Sequence, residues 1–172
     1  DTWHHCYNRA VGNRNDRLFD EVDKADIETK LQLAGLNLDF KKKGEESVRL
    51  SRLARPRELL KAALETLENE PANTDALCDA AWIMAASPFP ELRNARDALR
   101  MAEKASSIFK DKDARALEVL GVAQAENKSF RRALDATRRA IAIYAQEGQE
   151  VKAAALKSRL VLFEKGLPYR DE

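Results

Sequence analysis

The chain has 172 residues, 44% of them hydrophobic and 34% charged, with only 6 glycines and 5 prolines. That length fits one domain able to bury its own core, and a mixture rich in Ala, Leu, Glu, Lys and Arg favours helix over strand. The 30 basic and 29 acidic residues leave a net charge of +1, without the basic excess that phosphate neutralisation demands, so nucleic acid is not an expected partner.

Two cysteines, Cys6 and Cys78, exclude a disulfide framework. No apolar run approaches the roughly 18 residues of a membrane span. No stretch reads as a signal peptide, yet the chain begins at Asp1 rather than Met, which points to an upstream segment already removed. A cytoplasmic protein and an exported one both fit these features.

Residues 1–16 form a polar N-terminal segment in which Trp3, His4, His5, Cys6 and Tyr7 stand together. His4, His5 and Cys6 are possible ligands for a borderline metal, but adjacent side chains diverge. No second Cys or His cluster is present to complete a tetrahedral site. The plainer expectation is that Trp3 and Tyr7 dock on the first helices or on a partner.

A helical domain is expected over 17–166. Ile27, Leu31, Ala34 and Leu38 fall at i, i+4, i+7 and i+11, one apolar stripe of a helix running from Arg17 to Lys43. Gly35 inside it costs about 1 kcal/mol relative to Ala and suggests a close neighbouring backbone. The run Lys41 to Gly44 is expected to end this helix, with Glu45 to Arg55 ambiguous. Pro56 then opens a new helix carrying Leu59, Leu60, Ala63, Leu64 and Leu67, which stops at Pro71.

Thr74 or Asp75 is expected to cap a third helix, apolar over most of its circumference, with Leu77, Cys78, Ala81, Trp82 and Met84. Ser87-Pro88-Phe89-Pro90 breaks it. The next helix carries Ala98, Ala102, Ala105 and Phe109, followed by a turn at Lys110 to Asp113. Two more helical patterns meet at Glu126 to Ser129. The first holds Leu117, Leu120, Gly121 and Gln124, and the second holds Phe130, Ala133, Thr137 and Ala140. Gly148 ends this pair. A last helix over 150–165 shows Val151, Ala155, Leu156, Leu160 and Phe163, with Lys152, Lys157, Arg159, Glu164 and Lys165 turned outward as a polar cap. Residues 167–172 form a tail.

A spacing of a large residue, +3, a small residue at +4, and +7 occurs three times. It appears at Leu31, Ala34, Gly35, Leu38, at Leu77, Ala80, Ala81, Met84, and at Leu117, Leu120, Gly121, Gln124. The pattern resembles the tetratricopeptide-repeat family over about residues 27–144. The third repeat departs from it with Leu117 in place of Trp, Gln124 in place of Tyr and Lys128 in place of Gly. The Trp82 helix, the Ser87 to Arg93 loop with its Glu-Leu-Arg, and the Gly166 to Arg170 tail resemble a bacterial subgroup of scaffolding modules.

The resemblance implies an all-α, right-handed superhelix of about three helical hairpins, with repeats at about 28–73, 74–112 and 113–147 and a capping helix at 150–165. One hairpin cannot bury its apolar face alone, so hairpins stack. Gly121 and Ala81 should mark the closest helix contacts.

No phosphate loop, nucleophile elbow, zinc-protease motif or paired-Cys motif is present, so the chain reads as a non-catalytic scaffold or adaptor without a cofactor. The resemblance implies a partner protein or peptide on the concave face, or a fixed place in a larger complex. Its inward candidates are Gln32, Leu36 and Asp39, then Cys78, Trp82 and Ala85, then Arg115, Glu118, Val122 and Ala125, with Trp82 as the anchor. The family's clamp for acidic C-terminal tails needs several Lys, Asn and Arg residues, and only Arg115 is there. The alternative reading is a metal- or cofactor-associated subunit using His4, His5 and Cys6. Asn127-Lys128-Ser129 fits a glycosylation sequon without further support.

Overall fold

A computed structural model gives the fold. The described residues are 16–171, of which 16–28, 30–31 and 33–40 are described by backbone alone. Among them every regular element is helical: α1 (Asp16–Asn69), α2 (Thr74–Ala86), a 3₁₀ turn (Pro90–Leu92), α3 (Ala95–Ile108), α4 (Ala114–Glu126), α5 (Phe130–Gln146) and α6 (Glu150–Glu164). The chain is therefore all-α.

The expected hairpin over 28–73 is not formed. One helix of 54 residues runs through Gly44 and contains Pro56. Gly44 has open space around it and no positive φ, so nothing there turns the chain. The residues after it, Glu45-Glu46-Ser47-Val48-Arg49-Leu50, all propagate a helix, and Arg49 pairs with Glu46 at 3.2 Å one turn away. Pro56 sits inside the helix rather than opening one, and it withholds the N–H that would bond the Arg52 carbonyl.

The chain divides into two units, residues 1–51 and 52–172. In the first, residues 41–50 of α1 are exposed. The second holds the core. Three of its helices, α2, α3 and α4, start on side-chain caps: Asn73 accepts from the Ala76 N–H at 3.0 Å, Asn94 from Asp97 at 3.2 Å and Asp113 from Ala116 at 2.7 Å. Asn73, not Thr74 or Asp75, caps α2, and Thr74 is its first helical residue. Ser87 and Phe89 each precede a proline and are extended, which ends α2 and shapes the loop.

Four helices end in the same way. After α3, α4, α5 and α6 the chain turns through left-handed backbone: at Lys110, followed by Asp111, and at Lys128, Gly148 and Gly166. In each case the next N–H reaches five residues back: Asp111 to Ser106, Ser129 to Gln124, Gln149 to Tyr144 and Leu167 to Leu162, at 2.8–2.9 Å. This joint folds each helix back on the one before it. Consecutive helices from α2 to α6 pack against each other, and α2 also packs against α4.

Small residues set how closely they approach. Ala98, Ala102 and Ala105 on α3, Ala133 and Ala140 on α5, and Ala80 and Ala81 on α2 are fully buried. Gly121 is tightest: a Cβ there would stand 2.5 Å from Thr137 Oγ1 and 3.3 Å from the Ala133 carbonyl. Leu117, Leu156 and Phe163 fill the larger spaces, each contributing about 1.5–3 kcal/mol. The inward stripe of α6 is Ala153, Leu156 and Phe163, whereas Val151 is 85% exposed. Around Ala63, Ala76 and Ala80, the second half of α1 contributes Leu60, Leu64 and Leu67 to a smaller cluster that also takes Met101 of α3.

Candidate functional site

A groove of about 420 Å³ opens on one side of the helical stack. Cys78, Asp79 and Trp82 of α2 form one wall, Arg115, Glu118 and Val119 of α4 the floor, and Tyr144 with Lys152, Leu156 and Arg159 the other wall. Residues 78, 79 and 82 share a helix face by their spacing, as do 115, 118 and 119. The packing of α2 on α4 brings the two faces together.

The floor is a set of paired charges. Arg115 reaches Asp75 at 2.8 Å and Asp79 at 2.6 Å. Glu118 receives the Tyr144 hydroxyl at 2.8 Å and the Arg159 guanidinium. Burial, reinforced by the carboxylate it donates to, raises the Tyr144 phenol well above its usual range. Desolvation pushes the Cys78 thiol up to about 11, and Arg115 beside it only partly offsets this.

Arg159 ties the groove to the C-terminal tail. Its guanidinium lies 4.9 Å from the Trp82 ring centroid and 4.4 Å from that of Tyr169, and the two rings are 5.7 Å apart. Such contacts are worth about 0.5–2 kcal/mol each. The Trp82 indole N–H donates to Asp171 at 3.0 Å, and the Asp171 N–H donates to the Ala86 carbonyl at 2.9 Å. Arg170 donates to the Ala85 carbonyl at 3.2 Å and pairs with Glu126 at 2.7 Å. Glu126 also faces Arg93 of the Pro-rich loop at 3.7 Å. The residues that carried the resemblance to a bacterial subgroup, Trp82, Arg93, Tyr169 and Arg170, thus meet around one joint.

Of the sequence-based candidates, Cys78, Trp82, Arg115 and Glu118 line the groove together. Val122 does not: it is 1% exposed and belongs to the core, as do Ala85 and Ala125. The tail lies across that end of α2, its backbone and Arg170 satisfied by the Ala85 and Ala86 carbonyls. Gln32 is exposed on α1, and the side chains of Leu36 and Asp39 lie outside the described residues. So do His4, His5 and Cys6. Arg159, expected to face outward, is the inward hub, with its side chain 12% exposed. Position on the helix, one turn from Leu156 and Phe163, was the signal for it. Tyr144 and Tyr169 also went unread.

Among the described residues no group of three or more His, Cys, Asp or Glu could hold a metal ion, and no helix is long and apolar enough to cross a membrane. The sequon's Asn127 amide donates to the Ala95 and Ala123 carbonyls. Comparison with protein-family models, curated proteins and solved structures found no match.

Proposed function

We propose that this chain is a non-catalytic interaction scaffold of tetratricopeptide type. Two hairpins, α2–α3 and α4–α5, would stack as a right-handed superhelix with α6 as its polar-faced cap, and the chain would bind a partner protein or peptide on the groove side. The observation that carries this reading is the packing of α2 on α4, the first helices of successive hairpins. That packing sets Trp82, Cys78, Arg115 and Glu118 along one open surface. Its charges are already paired with one another, which supports recognition by shape over acid–base chemistry. Trp82 is half-buried and held on one side by Arg159, a rigid aromatic of the kind that anchors interfaces.

The test is affinity capture from the native source, followed by binding of the purified captured protein to wild type and to a Trp82→Ala, Arg115→Ala double variant whose helicity is unchanged. The expected outcome is at least a tenfold weaker Kd for the variant. Equal affinity would move the binding surface away from the groove.

A further inference from the structure

Trp82 is a wall shared by two depressions. On its far side a trough of about 570 Å³ runs between the second half of α1 and α2. A continuation of about 250 Å³ shares Pro56, Trp82, Ile83 and Asp171 with it and extends to Arg52 and Phe89. The floor is apolar, made by Leu59, Ala62, Ala63, Ala76 and Ile83. Leu59 is 54% exposed on it. Small alanines at 62, 63 and 76 hold the space open where larger side chains would close it.

The rim of the larger part carries Asp75, Asp79 and Asp171, and among the described residues no Lys or Arg lines it. Arg115, on the groove side, takes one oxygen, Oδ1, from each of Asp75 and Asp79. Among the described residues the Oδ2 atoms have no partner, and the Asp75 side chain is 83% exposed. Arg52 lines the continuation beside Asp171, in the part that neither Asp75 nor Asp79 reaches. Pro56 adds a carbonyl acceptor there, that of Arg52. From Arg52 to Thr66 the trough follows α1 for about 21 Å, the length of about four helical turns or of six to seven extended residues.

We propose that the α1–α2 trough docks a short segment of a partner protein that has an apolar face and Lys or Arg at the end lying over Asp75 and Asp79. The inference rests on the scaffold reading and names the class of partner. An apolar floor alone would take any greasy segment. Asp75 and Asp79, two carboxylates against the single charge of Arg115, favour a cationic one, because an acidic segment would be repelled. Arg52, in the part that Asp75 and Asp79 do not reach, sets the direction in which the segment lies.

A random peptide library of 16-residue members, selected against the full chain and in parallel against Leu59→Lys and against the Trp82→Ala, Arg115→Ala variant, tests this. Leu59 is exposed, so its replacement leaves the core intact while placing a cation on the trough floor. A Val151→Lys variant, changed on an exposed site of α6, is the control. Wild type and the control are expected to enrich peptides with apolar anchors flanked by Lys or Arg. Synthesised, these should bind Leu59→Lys at least tenfold more weakly and should weaken as salt rises from 50 to 500 mM.

Enriched peptides that are acidic or neutral, or that bind Leu59→Lys as well as wild type, overturn the proposal. If such peptides respond instead to the Trp82 and Arg115 changes, the scaffold reading stands without it. No enrichment over a protein-free control overturns both. A tenfold gain in affinity on removal of residues 1–15 would assign the trough to the chain's own N-terminal segment. A dimer in sedimentation that Leu59→Lys dissociates would assign it to a second copy. Either result overturns the proposal.

Discussion

Gly121 on α4 leaves the space that Thr137 on α5 fills: a Cβ at 121 would fall 2.5 Å from Thr137 Oγ1. Thr137 Oγ1 is itself buried and, among the described residues, has no hydrogen-bond partner, so its hydroxyl can be removed without stranding another described group. Gly121→Leu is expected to cost about 1–3 kcal/mol or more by overpacking. The milder Gly121→Ala should also destabilise, and Thr137→Ala should recover part of that loss in the double variant, because it deletes the nearest atom while the Ala133 carbonyl at 3.3 Å stays. A double-mutant cycle by urea denaturation measures the coupling. Additive single-site effects would contradict this register of α4 against α5.

Arg159 joins the stack to the tail through Trp82, Tyr169 and Glu118. Arg159→Ala removes both ring contacts and leaves a carboxylate with its side chain 16% exposed short of a cation, which is expected to cost about 2 kcal/mol. Arg159→Lys should recover little, because an ammonium cannot lie flat between two rings while reaching Glu118. Thermal unfolding of both variants checks the order. Trp fluorescence should shift as well, since Trp82 would lose a neighbour on one face, with Trp3→Phe as the background so that Trp82 alone reports.

The turns at Lys110 and Lys128 were legible because each follows a finished apolar stripe, and those at Gly148 and Gly166 also because glycine admits the positive φ found there. Gly44 misled because glycine alone does not end a helix. Without a turn to pack against and with strong helix formers on both sides, continuing the helix costs about 1 kcal/mol and saves the loss of a whole set of hydrogen bonds. The groove residues of α2 and α4 could be read from period and spacing. Val122 could not be separated from them, because it lies one turn from Glu118 and Val119 on the same helix and spacing does not say which of the three the core takes. Arg159 was assigned by its charge when its position, between Leu156 and Phe163, pointed inward.

Lys128 occupies a left-handed position at φ 60°, where Gly148 and Gly166 stand at the equivalent joints with φ 72° and φ 70°. The side chain pays a steric penalty that glycine avoids, partly offset because glycine gains freedom in the unfolded chain. Lys128→Gly is expected to stabilise the protein by about 0.5–1 kcal/mol, and Gly148→Ala to destabilise it by about 1 kcal/mol. Chemical denaturation midpoints at constant m-value check both. The opposite sign for Lys128→Gly would mean that the exposed lysine contributes more than its backbone strain costs.

Cys78 is 3% exposed between α2 and the groove floor, and burial raises its thiol from 9.0 to about 11. A folded-state pKa above the unfolded one means that the unfolded chain releases its proton first as pH rises. The stability tied to the neutral thiol is therefore complete below pH 9 and is lost progressively toward pH 11. In a Cys6→Ser background, so that only Cys78 reports, the thiol should resist an aromatic disulfide reagent at pH 8 until denaturant is added. The stability difference between that protein and its Cys78→Ala variant should shrink between pH 8 and pH 11, with lysine and tyrosine titration cancelling between the two. Rapid modification at pH 8 without denaturant would show that the wall formed by Cys78 and Trp82 opens readily, and the groove would then be a surface that reshapes around its partner rather than one built in advance.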